Sequence, residues 1–142
     1  MKKTKIFLGG TCNNSTWRDT LIPLLAVDYF NPVVKDWTPE CQAQEIKERE
    51  TADIVLYVIT PKMTGAFSIA EAVDDSNKRP DKTVFVYIDV DSTNPDAPET
   101  FTTHQLKSLA QVGKMVKSNG GHYTSIHGFE DLQLVADVLN NK

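Results

Sequence analysis

The stretch Asp53–Thr60, DIVLYVIT, decides the fold of this chain. Its six central residues are all apolar or aromatic, and four of them are β-branched. A strand with one wet face alternates polar and apolar residues. An unbroken run of this kind belongs to a strand covered on both faces, as in the middle of a parallel sheet. Pro61 ends it. Downstream, Thr83–Asp89 (TVFVYID) repeats the pattern and predicts a second buried strand. Upstream, Lys5–Leu8 is a short apolar run stopped by Gly9-Gly10, and Tyr29–Val34 is another. Pro32 offers no backbone donor to a ladder, so that strand belongs at a sheet edge. His122–Ile126 is a short last strand.

Helical patterns fill the intervals. Trp17, Leu21, Leu24 and Leu25 fall at helical spacing across Trp17–Val27, with Ser15 or Thr16 as cap and Asp19 in the first turn. Thr38-Pro39-Glu40 opens a second helix that runs to about Thr51. Ser68–Asn77 is a third, in which Ser68 and Glu71 have the spacing of a capping box. Asp91–Pro98 is a polar, proline-containing loop. Thr103–Lys117 places Leu106, Leu109, Ala110, Gly113 and Val116 on one side and ends at Asn119-Gly120-Gly121. Phe129–Leu139 closes the chain with Leu132, Val135, Ala136 and Leu139 at core spacing. Strand and helix thus alternate five times. The expected fold is α/β, a three-layer sandwich around a five-stranded parallel sheet in the flavodoxin-like order 2-1-3-4-5, with residues 1–142 forming one domain.

Composition narrows the function classes. The chain has 142 residues, 40% hydrophobic and 24% charged, with a net charge of −4. A core of this size is self-sufficient. Lys2, Lys3 and Lys5 are too few to make a basic stripe, which argues against a nucleic-acid partner. No apolar run nears the ~20 residues that span a bilayer, so no membrane partner is expected. Ile6-Phe7-Leu8 is too short for the core of a secretion signal, and Cys12 and Cys41 read as reduced thiols, so a cytoplasmic location is expected. His104, His122 and His127 are too scattered for a metal set, and no metal or organic cofactor is expected. His127, at the end of the fifth strand, is a minor site candidate.

In the order 2-1-3-4-5 the chain reverses direction between strands one and three, and a ligand crevice lies outside their carboxyl ends. The loop Gly9–Thr16 (GGTCNNST) enters a helix N-terminus, where amide donors suit a phosphate or sugar oxygen. Gly9, Gly10, Thr11 and Ser15 are its candidate binding residues, with Arg18 either adding a charge or standing solvated. The loop Thr60–Phe67 contributes Thr60, Met63 and Gly65, and Ser68 follows on the helix. Glu71 would stand over the switch point, as a reactive carboxylate or merely a helix cap. Asp36 and Trp37 follow strand two and would rim the pocket. Glu45 and Arg49, four residues apart, are able to pair on a helix surface. Asp53, at the amino end of its strand, reads as structural.

Taken together, KIFLGGTCNNSTWRDTLIPLL, YFNPVVKDW, EIKERETADIVLYVITP and MTGAFSIAEAVDDS resemble the nucleoside 2-deoxyribosyltransferase-like family over roughly residues 4 to 89. The remaining ~50 residues match only in secondary-structure pattern. The resemblance implies an enzyme that cleaves the N-glycosidic bond of 2′-deoxynucleosides or their 5′-phosphates. A glutamate on the helix after strand three attacks the anomeric carbon, and water or another base then takes up the deoxyribosyl group. Glu71 matches that nucleophile. An acidic residue eight positions before the strand-opening Asp orients it, which puts that role on Glu45, where the family has Asp. Two departures are visible. Gly65 and Glu71 are six apart where about four is usual, and the strand-three loop offers Thr60, Lys62 and Thr64 where transferases carry an acid. A nucleotide-binding sensor without catalysis therefore stays open. So does a TIR-like cleavage of NAD, since Ser68-x-x-Glu71 resembles that pairing. The resemblance also implies a homo-oligomer; the helix carrying Trp17, expected to be exposed, or the last strand and helix would supply its contact surface.

Overall fold

A computed structural model describes residues 4–12, 14–34 and 36–142. Lys2, Lys3 and Asn13, named above, lie outside the described residues. Five strands form one parallel sheet: β1 (Lys5–Gly10), β2 (Asp28–Phe30), β3 (Ile54–Ile59), β4 (Thr83–Ile88) and β7 (His122–Ile126). Their order is β2-β1-β3-β4-β7, which is the expected 2-1-3-4-5 counted over the strands of this sheet. Leu8 registers with Leu56, Gly10 with Val58, Val58 with Val86 and Val86 with Thr124. Two short strands, β5 (Val90–Asp91) and β6 (Glu99–Thr100), pair antiparallel as a separate ribbon. The expected loop over Asp91–Pro98 is therefore the tip of a hairpin.

Alternate residues of the central strands serve two cores, as the period of a strand requires. Ile6, Leu8, Leu56, Val58, Val86 and Ile88 pack with Trp17 and Leu21 of α1 (Trp17–Leu21) and with Leu132, Val135, Ala136 and Leu139 of α5 (Leu132–Asn140). Phe7, Val55, Tyr57, Ile59 and Phe85 pack on the other face with Ala72 of α3 (Phe67–Lys78) and with Leu109 and Val116 of α4 (Thr103–Ser118). All six residues of β3 are buried, as their unbroken apolar run requires.

Helix α2 (Pro39–Thr51) is different. Thr38 caps it by accepting from the Cys41 amide at 3.1 Å, with Pro39 in the first turn, as the sequence predicts. Yet Glu48 is its one buried residue, and Ile46 is exposed. Charge pairs fasten it: Lys5 Nζ lies 2.6 Å from Glu48 Oε2, and Arg49 reaches α3.

Several element boundaries depart from expectation. The helix expected over Trp17–Val27 ends at Leu21, and a 3₁₀ turn, Ile22–Leu24, follows. Pro23 supplies no amide to the α-helical ladder there. Strand two stops at Phe30, before Pro32, and lies at the sheet edge. Thr16 occupies the α1 cap position without a side-chain cap bond. Helix α3 starts at Phe67 with Ala66 as its cap residue and no side-chain cap bond, so Ser68 is inside the helix and the capping box with Glu71 does not form. Trp17 is fully buried, which removes the α1 face around it as an exposed contact surface. Among the described residues, no helix is long and apolar enough to cross a membrane.

Candidate active site

A cleft of about 420 Å³ opens beyond the carboxyl ends of β1 and β3. That volume suits a small organic ligand. Gly9 and Gly10 form its floor together with Phe7 and Ile59. Gly10 has φ +119°, and a Cβ there would stand 2.0 Å from the Val58 carbonyl oxygen, so only glycine lets β1 and β3 meet at the floor. Thr11, Cys12 and Arg18 line one side; Met63, Gly65, Ser68 and Glu71 line another. Pro32, Val33, Val34 and Trp37 form an apolar wall with Phe67. Trp37 and Phe67 are 57% and 74% exposed, which leaves two aromatic faces open at the rim.

Glu45 and Glu71 reach this one cleft from separate helices. Their spacing explains the meeting. Glu45 and Arg49 are one helical turn apart on α2, as Glu71 and Asp75 are on α3, so each pair shares a helix face. Where the two faces oppose, the outer residues, Glu45 and Glu71, line the cleft. The inner residues, Arg49 and Asp75, make a tight ion pair at 2.9 Å. The Glu45–Arg49 surface pair allowed by the sequence is replaced by these contacts across the helices. Glu71 is 9% exposed. Burial pushes its carboxyl up to about 7, against the opposing charge of Arg49 and with the help of Glu45, Asp75 and Asp74. Burial likewise raises Glu45, and Arg49 partly offsets it.

The other candidates divide. Gly9, Gly10, Thr11, Arg18, Trp37, Met63, Gly65 and Ser68 line the cleft; Ser15, Asp36 and Thr60 do not. Asp36 is exposed outside it. Arg18 is not solvated. It is buried, and its guanidinium donates to the carbonyls of Leu8, Gly10 and Thr11. Burial lowers its pKa to about 10, with Cys12 and Asp19 opposing. Its visible work is to satisfy the carbonyls where β1 ends, and its guanidinium carbon lies over the Trp17 ring, 4.4 Å from the ring centre. His127 is exposed, away from the lining residues.

Ser15 and Thr60 instead meet at Asp91, which the sequence did not single out. Their hydroxyls each donate to Asp91 Oδ2 at 2.6 Å, and the Thr93 amide and hydroxyl donate to Oδ1 at 3.0 and 2.6 Å. Burial raises the Asp91 pKa, but those four donors outweigh it and hold the carboxylate below its ordinary range. Asp91 thereby ties both cleft loops to the β5–β6 hairpin. Asp53 accepts from the Lys5 amide at 2.9 Å, a structural role at the far end of the sheet.

A family model described as nucleoside 2-deoxyribosyltransferase like matches residues 3–89. Searches of curated proteins and of solved structures returned no significant match. The matched segment takes in β1 to β4, α1 to α3 and every residue that lines the cleft. A match over well more than half of the sequence places the chain in the nucleoside 2-deoxyribosyltransferase-like family.

Proposed function

We propose that this protein cleaves the N-glycosidic bond of 2′-deoxynucleosides or their 5′-phosphates, with Glu71 as nucleophile and Glu45 as its acidic partner. One observation carries the reading: two carboxylates from different helices line one cleft, and the buried one, at about 7, stays partly ionised at neutral pH. The family supports related glycosyl transfer or hydrolysis. In the first step a Glu71 oxygen bonds to the anomeric carbon, and the bond to the base breaks. The electron pair leaves with the base, which takes a proton. In the second step water, or another base, attacks the same carbon, the bond to Glu71 breaks, and the attacker's proton returns to the carboxyl pair. The strand-three loop holds no acid, so the proton comes from the carboxyl pair, which titrates as a unit in its shared cleft. Gly9, Gly10 and Thr11 receive the sugar or phosphate oxygens, and the open faces of Trp37 and Phe67 receive the base. A second copy of the chain completes the working form.

Incubation with a panel of deoxynucleosides and deoxynucleotides, with and without an acceptor base, tests this by chromatography of free and exchanged base. Release that disappears in Glu71→Ala supports the reading. Release equal in both proteins rejects it. Tight binding of unchanged nucleotide supports a sensor instead, and consumption of NAD alone supports nicotinamide cleavage.

A further inference from the structure

Arg49 makes more contacts than a helix surface needs. Its Nε lies 2.9 Å from Asp75 Oδ2, its Nη2 lies 3.1 Å from Asp75 Oδ1 and 3.2 Å from Asp74 Oδ2, and its Nη1 lies 3.5 Å from Glu71 Oε2. Asp75 is fully buried and is itself held from two more sides, by the Tyr57 hydroxyl at 2.5 Å and by Arg79. The guanidinium is thus clamped by Asp75 in the fork geometry that arginine alone provides. Its remaining nitrogen points at the nucleophile.

We propose that Arg49 is the positioning residue of the reaction: a guanidinium anchored on buried Asp75 that keeps the Glu71 carboxylate ionised and directed into the cleft. The reaction concerned is the one proposed above, and the inference rests on that reading for its catalytic consequence. The lengths of the contacts suit the task. A carboxylate gripped by short bidentate bonds has its lone pairs engaged and is a poor nucleophile. At 3.5 Å Arg49 supplies charge without a hydrogen bond, and among the described residues no side-chain hydrogen bond ties up the Glu71 oxygens. Among the described residues, the groups around Glu71 are Glu45 and Arg49 from α2, Asp74 and Asp75 from α3, and Tyr57 from β3. Among these Arg49 is the one cation. Burial acts to lower its own pKa, but the hydrogen bond to Asp75 and the negative groups nearby outweigh that, so its charge persists throughout the working pH range.

The test is made on the full chain with Arg49→Gln and Arg49→Lys, each checked for its fold by circular dichroism. The Glu71 side-chain carboxyl is followed by ¹³C NMR in the free protein. Its midpoint is expected to rise by about one unit or more in Arg49→Gln and by less in Arg49→Lys, which keeps the charge but not the fork. In the deoxynucleoside assay kcat is expected to fall roughly 10- to 100-fold in Arg49→Gln with little change in KM. Partial rescue is expected in Arg49→Lys. If Arg49→Gln does not fold, Arg49→Lys decides. An unmoved Glu71 midpoint in folded variant protein overturns the positioning role, whether or not the chain turns over any nucleoside. A shifted midpoint in a protein with no glycosidic activity upholds it and overturns the catalytic reading instead.

Discussion

Asp91 and Glu71 are both buried carboxylates near the carboxyl edge of the sheet, and they behave in opposite ways. Burial pushes both toward the protonated form. Around Asp91, two threonines and a serine aim donors at the oxygens, and the group stays charged at every ordinary pH. Around Glu71, among the described residues, there is one guanidinium at 3.5 Å and three other acids, and the carboxyl rises to about 7. Hydrogen bonds fit a carboxylate for holding structure, whereas burial without them leaves it reactive. The same edge of one sheet carries a pin and a candidate nucleophile, told apart by their neighbours.

The comparison is broken most severely by removing the reactive member. Glu71→Ala is expected to lower glycosidic turnover by about 10³-fold or more, measured as base release per enzyme, while the protein stays folded. Removing the pin acts on stability instead. Asp91→Ala strands the Ser15, Thr60 and Thr93 donors and is expected to cost roughly 2–4 kcal/mol in urea unfolding at pH 7. Substitution of Glu71 by its neutral isostere has the opposite sign. Unfolded, Glu71 ionises near 4.5; folded, at about 7. Between those values the unfolded chain binds fewer protons, so stability falls as pH rises, and the whole cost remains above 7. Glu71→Gln is therefore expected to stabilise the protein by roughly 3 kcal/mol at pH 8 and by almost nothing at pH 4. The mildest change sharpens the picture. Glu45→Gln removes one of the neighbouring negative charges, and the Glu71 midpoint is expected to fall by about half a unit. A kcat/KM profile, where activity survives, or the ¹³C titration reads that shift.

The sequence displays the central strands openly, because double burial leaves no polar residue inside DIVLYVIT or TVFVYID. The sheet order followed from Pro32 and the alternation of elements. Helix periodicity was less decisive wherever a proline intervened, as at Pro23. Of the site, the glycine turn and Glu71 were legible as a motif, and Glu45 only by its distance from Asp53. Asp91 was not legible, since it is one of three aspartates between residues 89 and 96 and two of its donors, Ser15 and Thr60, lie far away in sequence. Arg49 had a visible signal, the parallel four-residue spacings of Glu45–Arg49 and Glu71–Asp75. Local spacing favoured a surface pair within α2, and which helix faced it was a matter of tertiary packing.

Because α2 adheres through salt links rather than an oily stripe, its sequence is decoupled from the hydrophobic interior. Among the described residues of this helix Glu45 alone lines the cleft, so substitutions on its exposed turns are expected to leave both the cleft lining and the scaffold's folding largely untouched. An engineer has free rein on that outer surface, whereas reshaping what fits the cleft calls for changes at Val33, Val34, Trp37 and Phe67.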